Sequence, residues 1–279
     1  MATCNKCPRG CKLNNGIGLC GTNGIKVAKI MPHYFEEPCI SGTNGSGAIF
    51  FSGCNLRCCY CQNRPISHGL KGEDYTVERL ADEIYTLQKS GVHNINLVTA
   101  AHIVDLVASA LKSVKPHLAV PIVYNSSGYE GDISCLDGLV DVYLPDFKYY
   151  DGTLAARYSL APDYPEVAQR TIMEMVRQVG AVKMEDGLIK KGVIIRHLVL
   201  PGCRHDSIRI MEYIGANFPD AYVSIMSQFT PQFNVGHSEL NRKVTSFEYN
   251  SVVDYAAKLG LRGFMQGRTS ADKAFTPEF

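Results

Sequence analysis

Three cysteines in the run Cys54-Asn55-Leu56-Arg57-Cys58-Cys59-Tyr60-Cys61 directly follow the apolar stretch Ala48-Ile49-Phe50-Phe51-Ser52 and have the spacing to hold an iron–sulfur cube. Clusters that only carry electrons usually have four cysteine ligands. A tight triplet at Cys54, Cys58 and Cys61 leaves one iron open to bind something else, which suggests reaction rather than storage. The alternative use of the same residues is a zinc knuckle lacking one ligand, or a redox pair with a spare thiol. Cys59 adjoins Cys58 and would have to turn back to reach the same cube, so it is not counted as a ligand.

A second group, Cys4, Cys7, Cys11 and Cys20, sits in a segment rich in Gly and basic residues. That segment is too short for its own core, so its four cysteines need a metal to fold. Zinc in a Cys4 site and an auxiliary iron–sulfur cluster both suit the spacing. Cys39, Cys135 and Cys203 stand alone and read as small buried hydrophobes.

Composition bounds these readings. Eleven cysteines in 279 residues can suggest a disulfide scaffold, but the chain is 46% hydrophobic and shows no secretory signal, so metal ligation is the better account. The formal net charge is +1 with the basic residues dispersed, which leaves no electrostatic footprint for nucleic acid or an anionic membrane. No apolar run approaches the ~20 residues that span a bilayer. A soluble, cytoplasmic protein with neither nucleic-acid nor membrane partner is expected.

The elements that must position these residues follow the triplet. Strand patterns at 48–52, 94–98, 120–125, 141–146, 193–200 and 222–228, with a weaker one at 263–266, alternate with helix patterns at 76–90, 101–114, 165–179, 207–216 and 246–261. This rhythm predicts an α/β fold of parallel strands with right-handed crossovers. Nearly continuous apolar runs such as Val193-Ile194-Ile195 predict strands buried on both faces. About six repeats are too few for a closed eightfold barrel. Polar residues gather at the C-terminal strand ends: Thr99 and His102 after the second strand, Asn125 and Ser126 after the third, Asp146 and Lys148 after the fourth. Asp146 and Lys148 are two apart and share a strand face.

The Cys-x3-Cys-x2-Cys spacing with Tyr60 before its last cysteine resembles the signature of the radical S-adenosylmethionine (SAM) enzymes. Residues 47–230 resemble in particular the pyruvate formate-lyase activating enzymes. The likeness rests on the triplet followed by Gln62-Asn63, on Asn125-Ser126-Ser127-Gly128-Tyr129, on Asp146-Phe147-Lys148 and on Arg196-His197-Leu198-Val199-Leu200-Pro201-Gly202. It implies a partial (βα)6 TIM-like barrel over 47–279, preceded by a short cysteine-rich metal-binding extension over 1–46. It also implies a [4Fe–4S] cluster on Cys54, Cys58 and Cys61 whose open iron chelates SAM, and cleavage of SAM to a 5′-deoxyadenosyl radical. By the same resemblance Tyr60 packs near the adenine, Asp146 and Lys148 line the SAM and cation region, and Arg196 approaches SAM; Asn125 and Ser126 are cofactor-binding candidates beside them.

One departure concerns the SAM amino group, which activating enzymes meet with a Gly-Gly-Glu segment. This chain has Thr99-Ala100-Ala101-His102 there and no carboxylate. Thr99 Oγ is the better acceptor for an ammonium, and His102 reads as polarity at a helix start. The acidic pair Glu36 and Glu37 reads as a solvated loop, with a place at the open barrel mouth as the alternative. The partners implied are a glycyl-radical enzyme, whose glycine loses a hydrogen atom, and a flavodoxin- or ferredoxin-type electron donor. The alternatives are radical chemistry on a small molecule or on another protein or peptide side chain, and a non-catalytic iron–sulfur carrier.

Overall fold

The structure is a computed structural model that describes residues 2–231 and 236–266. Positions 232–235 and 267–279, both within the expected 47–279 unit, lie outside the described residues. The chain runs β1 (Ile25–His33), α1 (Pro38–Ser41), β2 (Ser46–Phe51), α2 (Arg64–Ser67), β3 (Glu73–Tyr75) and α3 (Val77–Lys89). It continues through β4 (Ile95–Val98), α4 (Val104–Val114), β5 (Ile122–Ser126), β6 (Val142–Pro145), α5 (Gly152–Ser159) and α6 (Tyr164–Val179). The last third holds β7 (Lys183–Glu185), β8 (Leu188–Leu198), α7 (Arg204–Asn217), β9 (Tyr222–Met226), α8 (Ser246–Lys258) and β10 (Gly263–Met265).

One mixed sheet carries all of these strands, in the order β10-β9-β8-β6-β5-β4-β2-β1-β3, with β7 folded back onto β8. From β10 to β2 every neighbouring pair is parallel, as strands joined by helical crossovers must be. These seven parallel strands are the seven that the sequence pattern predicts. Helix starts are also locally written: Thr76 caps α3 by accepting from Arg79 N at 3.1 Å, and Thr245 with Glu248 forms a capping box on α8.

The first domain boundary needs correction. Sequence reading assigns residues 25–46 to the cysteine-rich extension, whereas β1 pairs antiparallel with β2 from Val27↔Phe51 to His33↔Ser46 and so belongs to the sheet. Only residues before β1 stand apart from it. Strands β1, β3 and β7 and helix α5 have no counterpart in the sequence reading. Strand β1, which lies between β2 and β3, has lysines at positions of opposite parity (Lys26, Lys29) that break its alternation, and β3, β7 and α5 are too short to show a period.

Strand parity divides the core. Ile49, Phe51, Ile95, Leu97, Tyr124, Tyr143, Val193 and Ile195 pack with helix residues such as Leu80, Leu111, Met175 and Ile214 in one large cluster. Their neighbours on the other face, Ala48, Phe50, Val98, Val123, Val142, Leu144 and Ile194, form two smaller clusters with Ile40 of α1 and Ile66 of α2. Each fully buried side chain of this size contributes about 1.5–3 kcal/mol, enough to hold the strand register. Two residues further along those inner rows, the apolar layer gives way to Asn125, Asp146 and Arg196.

Candidate active site

Those rows open into a cavity of about 240 Å³. Cys54, Cys58, Cys61, Tyr60, Thr99, Asn125, Ser126, Asp146, Lys148 and Arg196 all line it. Every residue expected to hold the first cluster or SAM is therefore gathered at one place. Glu36, Gln228 and Phe229 complete its polar and aromatic wall.

The 54–61 loop is fixed by its surroundings. Cys59 N donates to Tyr158 O at 2.8 Å, Arg57 N to Ser159 O at 3.3 Å, and Asn55 Nδ2 to Tyr129 O at 2.5 Å. Two sulfurs receive side-chain partners: Ser159 Oγ donates to Cys58 Sγ at 3.0 Å, and Ser67 Oγ lies 3.2 Å from Cys61 Sγ. Hydrogen bonds to sulfur tune the potential of a cluster. Tyr60 OH meets Tyr149 OH at 2.6 Å, and Tyr149 OH meets Ser159 Oγ at 2.8 Å, so a hydroxyl chain runs from the cavity wall to Cys58. Cys59 does not line the cavity.

Burial pushes the Cys54 thiol up to about 12, with the charge of neighbouring Cys58 adding to it, and burial likewise raises Cys58. Such thiols ionise when a metal takes the place of the proton. Among the described residues no three His, Cys, Asp or Glu side chains form a group suited to hold a metal ion as they stand. A four-iron cube interposes its own atoms between its thiolates, so the relevant fit is three cysteines facing one cavity, and the triplet meets it.

A charged network occupies the wall beside the triplet. Asp146 Oδ2 accepts from Lys148 Nζ at 2.6 Å and its Oδ1 from Arg196 Nε at 3.2 Å. Arg196 also donates to Asn125 Oδ1 at 2.5 Å and to Glu36 Oε2 at 3.2 Å. Burial alone would raise the Asp146 carboxyl, but Lys148 and Arg196 outweigh it and hold the carboxyl below the ordinary aspartate range. Burial would lower Lys148, yet Asp146 and Cys58 keep it raised and charged. All three residues of these two ion pairs line the cavity.

Two backbone features serve the same wall. Thr99 has φ +66°, a left-handed conformation that a β-branched residue adopts at a cost of about 1–3 kcal/mol, and it is held there by its N–H on Asn125 O at 2.9 Å. Gly128 has φ +73°, and a Cβ there would collide with the carbonyl oxygen of Asp146. The Ser126-Ser127-Gly128 turn can close on β6 only with glycine at that position.

Two sequence readings fail here. Glu36 and Glu37 are not in a solvated loop: the Glu36 side chain is 9% exposed, and Glu37 is buried with Oε2 unpartnered. Glu36 Oε1 accepts from Asn96 at 3.1 Å and from Asn125 at 3.2 Å, which fixes a carboxylate in the cavity wall. Nothing local distinguishes Glu36 from a surface acid; its partners come from three strands. His102 is not solvated helix-start polarity either, being 3% exposed and held neutral by burial, which pushes it down to about 4. It faces a separate cavity with Cys4, Cys7, Cys11 and Cys20. The isolated cysteines fit their reading in part: Cys39 and Cys203 are buried, whereas Cys135 is half-buried.

The fold is that of a radical SAM methyltransferase from Sphaerobacter thermophilus, with a TM-score of 0.53 at 10% identity over 78% of this chain and 65% of that one. It is shared with Streptococcus suis SuiB bound to precursor peptide SuiA, with a TM-score of 0.55 at 12% identity over 85% of this chain and 50% of SuiB. SuiB bound to S-adenosylmethionine gives 0.52 at 12% identity, over 77% and 48%. The chain thus spans about half the length of SuiB. A family described as a 4Fe-4S single cluster domain matches residues 41–130, a span that contains the triplet, Tyr60, Thr99 and Asn125. An uncharacterized protein of Methanocaldococcus jannaschii is 27% identical over 277 residues, covering 92% of this chain and 75% of that protein. No helix among the described residues is long and apolar enough to cross a membrane.

Proposed function

We propose that this protein is a radical SAM enzyme whose seven parallel strands act as a partial barrel around the cofactors. The observation that carries the reading is the convergence of Cys54, Cys58 and Cys61 with Tyr60, Thr99, Asn125, Ser126, Asp146, Lys148 and Arg196 on one cavity. The match to a 4Fe-4S single cluster domain supports a [4Fe–4S] cluster on the triplet, and the SAM-bound neighbour of the same fold supports SAM beside it. Cys54, Cys58 and Cys61 would hold the cluster, and the chemistry it would supply there is one-electron reductive cleavage of SAM to methionine and a 5′-deoxyadenosyl radical.

The chain's own residues bind and orient. Arg196 presents a planar fork suited to a carboxylate, with Lys148 as a second cation. Glu36, read from sequence as part of a solvated loop, is the carboxylate suited to the SAM ammonium, with Thr99 beside it; a carboxylate has about four acceptor sites, so its bonds to Arg196, Asn96 and Asn125 leave capacity. Tyr60, edge-on to Phe229 at 5.9 Å, gives an aromatic wall for the adenine. A carrier needs no such cavity of paired charges, which argues against the non-catalytic reading.

The substrate is proposed to be a polypeptide, supported by the peptide-bound neighbour of the same fold. The sequence resemblance narrows this to the glycine of a partner glycyl-radical enzyme, with a flavodoxin- or ferredoxin-type donor reducing the cluster. Anaerobic reconstitution with iron and sulfide, followed by dithionite and SAM, should yield 5′-deoxyadenosine and methionine in equal amounts. Fully clustered protein that forms neither would overturn the reading. A glycyl doublet in the electron paramagnetic resonance spectrum, formed with a glycyl-radical enzyme as substrate, tests the narrower one.

A further inference from the structure

The amino-terminal segment docks against the start of the 54–61 loop. Arg9 Nε donates to Asn55 O at 2.6 Å, Arg9 also reaches the carbonyls of Ser159 and Leu160, and Arg57 donates to Leu19 O. Within the segment the described residues form no helix or extended strand, and turns and the isolated bridges Thr3↔Lys12 and Asn14↔Ile17 supply its backbone hydrogen bonds. Cys4, Cys7, Cys11 and Cys20 nevertheless line one cavity of about 80 Å³, and Asn55 and His102 form its floor on the barrel side.

His102 supplies an independent observation. Its Nε2 lies 3.0 Å from the carbonyl oxygen of Ser52, and since a carbonyl only accepts, Nε2 carries the ring proton. Nδ1 is then a bare lone pair, buried and without a hydrogen-bond partner. Leaving such an acceptor unpaired costs about 1–3 kcal/mol. A ring that donates one N–H to a backbone carbonyl, keeps its other nitrogen unpartnered and lines a cavity with four thiols has the makings of a metal-ligating histidine. Gly53 permits this closeness: at φ +89°, a Cβ would stand 2.8 Å from Cys20 O and 2.9 Å from His102 Nε2.

We propose that Nδ1 of His102 and three of the thiols among Cys4, Cys7, Cys11 and Cys20 form the four ligands of a second metal centre, which braces the backbone leading into Cys54. The chemistry is that of a thiophilic metal, zinc or an iron–sulfur cluster, both of which accept mixed thiolate and imidazole ligation. These side chains share one cavity but are not drawn together as they stand, so the thiols move onto the metal as it binds and the metal satisfies the lone pair. The proposal does not depend on radical chemistry at the first site.

The test uses the full chain with Cys54, Cys58 and Cys61 all changed to Ser, so that the first site holds no cluster. The protein is stripped with a chelator and loaded anaerobically with Zn2+ in one arm and with Fe2+ and sulfide in the other. One metal centre should survive desalting in one of the arms, and adding Cys7→Ser and Cys11→Ser should abolish it. His102→Ala should weaken it by roughly 10- to 100-fold. In the zinc arm, X-ray absorption should show a nitrogen neighbour at about 2.0–2.1 Å beside sulfur at about 2.3 Å. In the iron arm, pulsed paramagnetic resonance of the reduced cluster should show a histidine nitrogen coupling. Metal with sulfur neighbours alone would overturn the role of His102, and no retained metal in either arm would overturn the centre itself.

Discussion

Arg196 and Asp146 are joined twice, through the backbone and through their side chains. A parallel bridge links the two residues where β6 and β8 run side by side, with Phe147 N donating to Arg196 O at 2.7 Å, and Arg196 Nε reaches Asp146 Oδ1 at 3.2 Å. Strand register therefore decides the ion pair, and the ion pair decides where two cations face the cavity.

Asp146 holds Lys148 as well as Arg196, and its side chain is only 17% exposed. Asp146→Ala leaves two cations short of a partner and should cost roughly 3–5 kcal/mol in urea unfolding. Asp146→Asn, which keeps one acceptor oxygen, should cost clearly less. Because the folded carboxyl titrates below its ordinary value of 3.8, this contribution is complete above that pH and is lost only as pH falls further. Equal losses for the two variants would count against the pairing.

Glu36→Gln removes the carboxylate proposed for the SAM ammonium while Arg196 keeps Asp146 as its partner. SAM affinity of the reconstituted protein should fall about tenfold, ~1.4 kcal/mol, with Thr99→Ala costing less. Equilibrium dialysis with labelled SAM reads both. Unchanged affinity in Glu36→Gln would remove Glu36 from the site.

Cys58 and Cys59 are adjacent but face different surroundings, the cavity and the Tyr158 region. Cys58→Ala should abolish formation of 5′-deoxyadenosine, and Cys59→Ala should largely preserve it. The iron content of each variant separates lost assembly from lost chemistry.

Glu130 is 3% exposed, takes a bond from Tyr124 OH at 3.2 Å on Oε2 and has no partner on Oε1. Burial raises its carboxyl from 4.5 to about 7. Between those values the folded state binds the proton more tightly than the unfolded state, so this group's contribution to stability falls as pH rises, by about 3 kcal/mol once past 7. His197 acts with the opposite sign: burial pushes it down to about 4, so its contribution is complete above 6.5 and is lost as pH falls. The difference between wild type and Glu130→Gln isolates the carboxylate. That difference should favour the variant increasingly from pH 5 to pH 8, and a flat difference would contradict it.

The seven parallel strands and the five longer helices were legible because each is long or apolar enough to show its period, and the residues that line the first cavity were legible because a parallel sheet brings its C-terminal strand ends to one edge. Asn125, Asp146 and Arg196 needed only correct strands to converge. Strand β1, the short α5 and the boundary of the cysteine-rich segment were not, since pairing with β2 and β3 rather than composition draws residues 25–33 into the sheet.

By itself the sequence determined the thiol chemistry, the βα order and the set of residues that meet at the first cavity, all of which are matters of local spacing and strand parity. Tertiary structure alone decided the roles of Glu36 and His102. Glu36 finds Arg196 across 160 positions, and His102 finds the Ser52 carbonyl across 50. An acid before a proline-led helix, or a histidine at a helix start, has the same local pattern whether water or buried partners surround it. Only the folded chain removes the water and leaves one carboxylate in the wall of the first cavity and one unpartnered imidazole nitrogen in the wall of the cavity that the four cysteines line.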